Sequence, residues 1–118
     1  MIKQIKSSEI KNYIKENSNV VLLDVRTENE WTTLGKPNAE DLNSKTYFVT
    51  VSPDLSNWQV PDPNFVENVK KNISKDKTIL VMCAAGGRSM IAANLLEAEG
   101  YSALNVSDGY SGSGQDRG

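Results

Sequence analysis

The chain has no histidine among its 118 residues. That excludes a Cys-His or Ser-His-Asp triad and any metal site built on imidazole. It has one cysteine, Cys83, so no internal disulfide can form, and one thiol without histidine is a poor zinc site. Neither sign of charge dominates: 13 lysines and arginines stand against 15 aspartates and glutamates, a net charge of -2. Without a basic excess, nucleic acid is not the expected main partner. No apolar run approaches the roughly 20 residues of a membrane-spanning helix, and residues 1–6 alternate polar and apolar side chains without a signal-peptide core. The expectation is a cytoplasmic protein that uses no metal or other cofactor and has no membrane or nucleic-acid partner.

The length suits one domain around one core. Ile2 and Ile5 mark a short first strand, and Ser7 or Ser8 is placed to cap a helix through Ile10, Tyr13 and Ile14. Val20–Val25 is nearly all apolar, as in a strand covered on both faces. Thr27 and Glu30 have capping-box spacing and predict a short helix over Glu28–Trp31, broken at Gly35-Lys36-Pro37-Asn38. A strand over Thr46–Val51 follows, then a surface loop over Ser52–Asn64 that carries Trp58 between Pro53 and Pro61. Phe65, Val69 and Ile73 mark another helix. Thr78–Met82 reads as a buried strand, Met90–Glu99 as an amphipathic helix stopped by Gly100, and Ala103–Val106 as the last strand. Alternating strands and helices predict an α/β domain with a parallel sheet of about five strands and helices on both faces. Ligands of such sheets bind outside the carboxyl ends of the strands. The domain is expected over residues 1–107, and the Gly- and Ser-rich segment 108–118 as a flexible tail, naturally short or trimmed.

Two of those strand ends carry chemistry: Asp24 with Arg26, and Cys83 with Arg88. Cys83 opens the run Cys83-Ala84-Ala85-Gly86-Gly87-Arg88-Ser89 between a strand and a helix. First-turn N–H groups and the helix dipole favour a negative charge at that point, so the thiolate is the expected form and a nucleophile. The two glycines permit positive φ angles that turn several N–H groups toward the sulfur. Arg88 adds a positive charge for loop stabilisation or anion binding, and Ser89 can hydrogen-bond into the loop. A thiolate held this way can take a sulfur from a donor and keep it as a persulfide. That transfer moves an anion rather than a proton, so it has no need of the missing histidine. Asp24 and Arg26 read as structural contacts, Trp31 as core packing, and Trp58 as either a pocket rim or a packed loop anchor.

These residues resemble the rhodanese family of sulfurtransferases. CAAGGRS fits the family's Cys-x-x-Gly-x-Arg-Ser loop. Leu22-Leu23-Asp24-Val25-Arg26-Thr27 with Glu30-Trp31 fits a second segment, and Asn105-Val106 followed by Gly109-Tyr110 fits the turn after the last strand. The resemblance spans nearly the whole chain. It implies a single three-layer rhodanese-like domain. Cys83 is then the catalytic, persulfide-bearing residue, and Ala84, Ala85, Gly86, Gly87 and Arg88 form the active-site loop through their backbone amides. Ser89, Asp24 and Arg26 support that loop. The implied partners are a small-molecule sulfur donor, thiosulfate or a persulfide, and a thiol or cyanide acceptor, or a sulfur-relay protein. Two departures stand out. The family's Gly-His-Ile-Pro segment is replaced by Thr32–Ala39, and positions that are basic in some thiosulfate users are Ala84, Ala85 and Glu30.

Other readings of the same residues are a phosphatase or arsenate reductase of this family, a non-catalytic regulatory domain, and a redox sensor. The oxyanion-handling relatives have one more residue between cysteine and arginine, whereas here four intervene, Ala84 to Gly87. Regulatory domains usually lose the cysteine. A sensor needs a resolving thiol from a partner.

Overall fold

A computed structural model describes residues 2–37 and 44–110 of the chain. Five strands form one parallel sheet: β1 (Lys3–Ile5), β2 (Val20–Asp24), β3 (Thr46–Phe48), β4 (Thr78–Met82) and β5 (Ser102–Val106), in spatial order β1-β5-β4-β2-β3. The helices are α1 (Ile10–Glu16), α2 (Glu28–Leu34), α3 (Phe65–Lys70) and α4 (Gly87–Ala98), with short 3-10 turns over Ser7–Glu9 and Leu55–Asn57.

Side-chain alternation separates the two layers beside the sheet. Val21, Leu23 and Val25 of the β2 segment, and Ile79, Val81 and Cys83 of the β4 segment, face Phe65, Val69, Ala92, Ala93 and Leu96 of α3 and α4. The intervening Val20, Leu22, Leu80 and Met82 face Ile10 of α1, with Leu104 and Val106 beside them. Both central strands are therefore apolar on both faces, as their sequence requires. Each fully buried side chain of this kind contributes about 1.5–3 kcal/mol. Cys83 continues the inward alternation of β4 one residue past the strand, which is why its sulfur points into the domain rather than off its end.

Four local features differ from the sequence reading. The third strand stops at Phe48 instead of Val51. Val49 and Val51 still donate to the carbonyls of Asp24 and Val25, but β2 ends at Asp24, so the ladder cannot continue. The helix after Cys83 starts at Gly87, three residues before Met90, because Gly86 takes φ +101° and turns the chain at once into α4. Ser7 caps no helix: its amide and hydroxyl both donate to Asp108 (2.8 and 2.6 Å). Residues 108–110, read as the start of a tail, belong to the domain. Asp108 holds Ser7, and Tyr110 is buried beside β4 and β5. Residues 111–118 of that segment lie outside the described residues.

The turn after β5 meets the loop after β4 backbone to backbone. Tyr110 N–H donates to the Cys83 carbonyl at 2.7 Å. A Cβ on Gly109 would stand 2.5 Å from the carbonyl oxygens of both Cys83 and Ala84, and Gly109 has φ +61°. Gly109→Ala therefore combines left-handed strain with a clash against rigid backbone. It is expected to lower stability by about 2 kcal/mol or more in a denaturant titration; a loss of only a few tenths would show that the two loops do not need this contact.

Candidate active site

Cys83 lies just past β4, with 1% of its surface exposed. Gly86 N–H donates to its Sγ at 3.0 Å. Ala84 and Ala85 form the outer arc of the loop between them, and Gly87, Arg88 and Ser89 make the first turn of α4. The reading from sequence had several amides turned inward; among the described residues, Gly86 is the one backbone amide that bonds the sulfur, beside the Ser89 hydroxyl. The sulfur reaches solvent through a cavity of about 180 Å³ lined by Trp58, Cys83, Ala84, Ala85, Gly87 and Arg88. A larger depression of about 600 Å³ lies at the amino ends of β2 and β4, between Lys15, Lys45 and Lys77. It is at the wrong end of the sheet for Cys83, and the described residues in its wall include no cysteine or carboxylate.

Trp58 is both rim and anchor. Its carbonyl accepts from the buried Ser52 hydroxyl at 2.6 Å, which ties down the proline-flanked loop. Its ring lies 3.2 Å from where a Cβ on Gly87 would be, closing one side of the cavity, and 39% of its surface remains exposed.

Ser89 stands behind the sulfur, fully buried, with its Oγ 3.4 Å from Cys83 Sγ. It also makes a close hydrogen bond to Asn105 Oδ1. Asn105 is held in that orientation because its Nδ2 donates to Gln4 Oε1 (3.1 Å) and to the Gly86 carbonyl (3.3 Å). The single Ser89 proton thus has two acceptors, the amide oxygen and the sulfur. With the proton on Asn105, the hydroxyl oxygen can accept from a neutral thiol; with the hydroxyl rotated, it can donate to a charged sulfur.

Arg88 does not project freely into the cavity. Its Nη1 and Nη2 make a two-point pair with Glu30 Oε1 and Oε2 at 2.7 and 2.9 Å, and the two side chains are only 10% and 11% exposed. Glu30 is also the capping-box residue of α2: it accepts from Thr27 N–H at 3.1 Å, and Thr27 Oγ1 accepts from Glu30 N–H at 3.4 Å. The Arg88 hydrogen bond holds the Glu30 carboxyl well below its ordinary value of 4.5, at about 2. The same bond pushes Arg88 upward.

Asp24 and Arg26 are fully buried one layer behind the loop. Arg26 Nη2 and Nε donate to the Asp24 carboxylate at 2.7 and 3.0 Å, and Nη2 also reaches the Gly35 carbonyl at 2.8 Å. The guanidinium lies 4.1 Å from the centre of the Tyr110 ring. Tyr110 in turn bonds the Cys83 carbonyl, so the pair reaches the loop through that tyrosine.

The sequence reading placed Asn105, Gly109 and Tyr110 only in the family's turn and Glu30 only in the capping box, without a contact to the loop; the structure brings all four to it. Asn105 carried a signal, being a polar residue inside the apolar run Ala103–Val106. Glu30 carried none beyond its cap, because its second role joins residues 58 positions apart.

The low Glu30 value sets a pH test. The carboxylate is ionised in the folded chain down to about pH 2, but protonates near 4.5 when unfolded. Its contribution is present above pH 4.5 and is lost as pH falls through 2. At pH 7, Glu30→Gln is expected to lower stability by about 1–3 kcal/mol while keeping the cap. The gap to wild type should close between pH 4.5 and 2 in denaturant titrations; a gap independent of pH would mean that the Arg88 pair is not its source.

The rhodanese-like domain family matches residues 7–115. An uncharacterized protein of Rickettsia prowazekii is 34% identical over 119 residues, covering all of this chain and 91% of the relative. Among solved structures, Rv0390 from M. tuberculosis superposes with a TM-score of 0.77 at 28% identity, over 92% of this chain and 79% of its own. A rhodanese-like domain protein from Staphylococcus aureus gives 0.68 at 28% identity, over 94% of this chain and 90% of its own. With the loop, the buried cysteine and the parallel sheet already described, the match over nearly its whole length makes this chain a member of the rhodanese-like domain family.

Proposed function

We propose that the protein is a sulfurtransferase that carries sulfane sulfur as a persulfide on Cys83. The observation that carries this reading is the setting of Sγ. It is buried at the floor of a four-residue loop, bonded by Gly86 N–H at 3.0 Å, and lines a cavity of about 180 Å³. That space suits a sulfur atom arriving on a narrow donor.

In the first half-reaction the Cys83 thiolate attacks the outer sulfur of the donor. A new S–S bond forms on Cys83, and the donor's S–S bond breaks, its electron pair leaving with the departing group. In the second half-reaction a thiolate or cyanide attacks that outer sulfur and takes it, and the pair of the broken S–S bond returns to Cys83. No proton has to be moved by a side chain, which fits a site without histidine. Gly86 N–H stabilises the charge on Sγ at the start and the end of the cycle, and Ser89 can turn its proton toward the sulfur when that charge is present.

Intact-protein mass spectrometry tests this. After exposure to thiosulfate or polysulfide the wild type is expected to gain about one sulfur mass, and cyanide should discharge it, as an activated thiolate predicts. Cys83→Ser should gain nothing. A gain on the variant, or none on the wild type with either donor, would remove Cys83 as the carrier.

A further inference from the structure

Among the described residues, Arg88 is the one charged residue in the wall of the Cys83 cavity; the others are Trp58, Ala84, Ala85, Gly87 and the cysteine. Its charge is already matched by the two-point pair with Glu30. The nearby Arg26 is matched by Asp24 and covered by Tyr110. Among the described residues, what remains to meet an incoming donor is the amino end of α4, equivalent to about half a positive charge.

That supply is small against thiosulfate. A dianion meeting a thiolate brings three negative charges into one apolar cavity, and repulsion there is stronger than in bulk water. A protonated persulfide, R–S–SH, brings none beyond the thiolate's own. We propose that this site draws its sulfur from the persulfide of an uncharged organic thiol rather than from thiosulfate, and that Glu30 sets the preference by neutralising Arg88. The proposal rests on the sulfurtransferase reading above. In the loading step Cys83–S⁻ attacks the outer sulfur of R–S–SH, R–S⁻ leaves with the bonding pair, and the proton stays on the transferred sulfur, giving Cys83–S–SH. The net charge is one negative before and after. Thiosulfate would instead give Cys83–S–S⁻ and sulfite, three negative charges throughout. The apolar faces of Trp58, Ala84 and Ala85 suit the organic part of the first donor and offer nothing to the sulfonate of the second.

The test measures the rate of Cys83 loading from the persulfide of 2-mercaptoethanol, an uncharged thiol, and from thiosulfate by quenched intact mass. Each rate is divided by that of the same donor with a free thiol, so that intrinsic reactivity cancels. The wild type is expected to favour the persulfide by about tenfold or more after this correction. Glu30→Gln, which keeps the capping box and frees the Arg88 charge, should shift the ratio toward thiosulfate by about tenfold. A wild type that loads equally well or better from thiosulfate overturns the proposal without help from any variant, and so does a folded Glu30→Gln protein whose ratio is unmoved. Loading from neither donor would overturn the sulfurtransferase reading itself, and the donor preference with it.

Discussion

The site depends on two stretches of backbone meeting with no side chain between them. The loop after β4 and the turn after β5 approach so closely that a Cβ on Gly86 would overlap the Ser107 carbonyl, and one on Gly109 would overlap the carbonyls of Cys83 and Ala84. Tyr110 N–H closes the contact on the Cys83 carbonyl. With its carbonyl side committed to that turn, the loop presents Gly86 N–H to the sulfur. The same approach brings Asn105 within reach of Ser89 and of the Gly86 carbonyl. Loop curvature, sulfur environment and the start of α4 therefore follow from one packing constraint between strands that are neighbours in the sheet.

Charge around the sulfur is arranged in closed pairs. Asp24 and Arg26 neutralise each other in full burial, and Glu30 and Arg88 do so at the cavity wall. Buried pairs of this kind are weak evidence for added stability, because desolvation offsets much of the attraction. Their effect here is geometric and electrostatic. Glu30 ties the first turn of α4 to the cap of α2, so the capping box and the loop after Cys83 are one hydrogen-bonded unit. The cavity is left with little net charge, so a donor meets dipoles rather than a free ion. This links the local sequence of a short helix to the charge that surrounds the thiol.

Much of the framework was legible in the sequence because its signals are local. Apolar runs marked β2 and β4, the Thr27-x-x-Glu30 spacing marked the start of α2, and a cysteine before two glycines marked the loop. Errors arose where a tertiary partner outbid a local rule. Ser7 has a good capping side chain, but Asp108, a hundred residues away, takes its hydroxyl. Thr46–Val51 has strand composition throughout, but loses its ladder when β2 ends. The glycine-rich sequence after Val106 looks like a tail, yet Gly109 is there because nothing larger fits against the loop. At the site, residue types indicated which groups gather around the sulfur but not how charge is shared. That Arg88 is held by Glu30 rather than left for a ligand is a fact of three-dimensional placement.

The central claim is that the loop is built around one sulfur atom bonded to Cys83. A high-resolution crystal structure of the protein after reaction with a persulfide donor tests it most directly. The account predicts electron density for one additional sulfur on Cys83, lying in the Trp58-walled cavity, with Gly86 N–H still on Sγ and the Glu30–Arg88 pair intact. An unmodified Cys83, or a loop that has opened so that Gly86 N–H faces away from the sulfur, would contradict it.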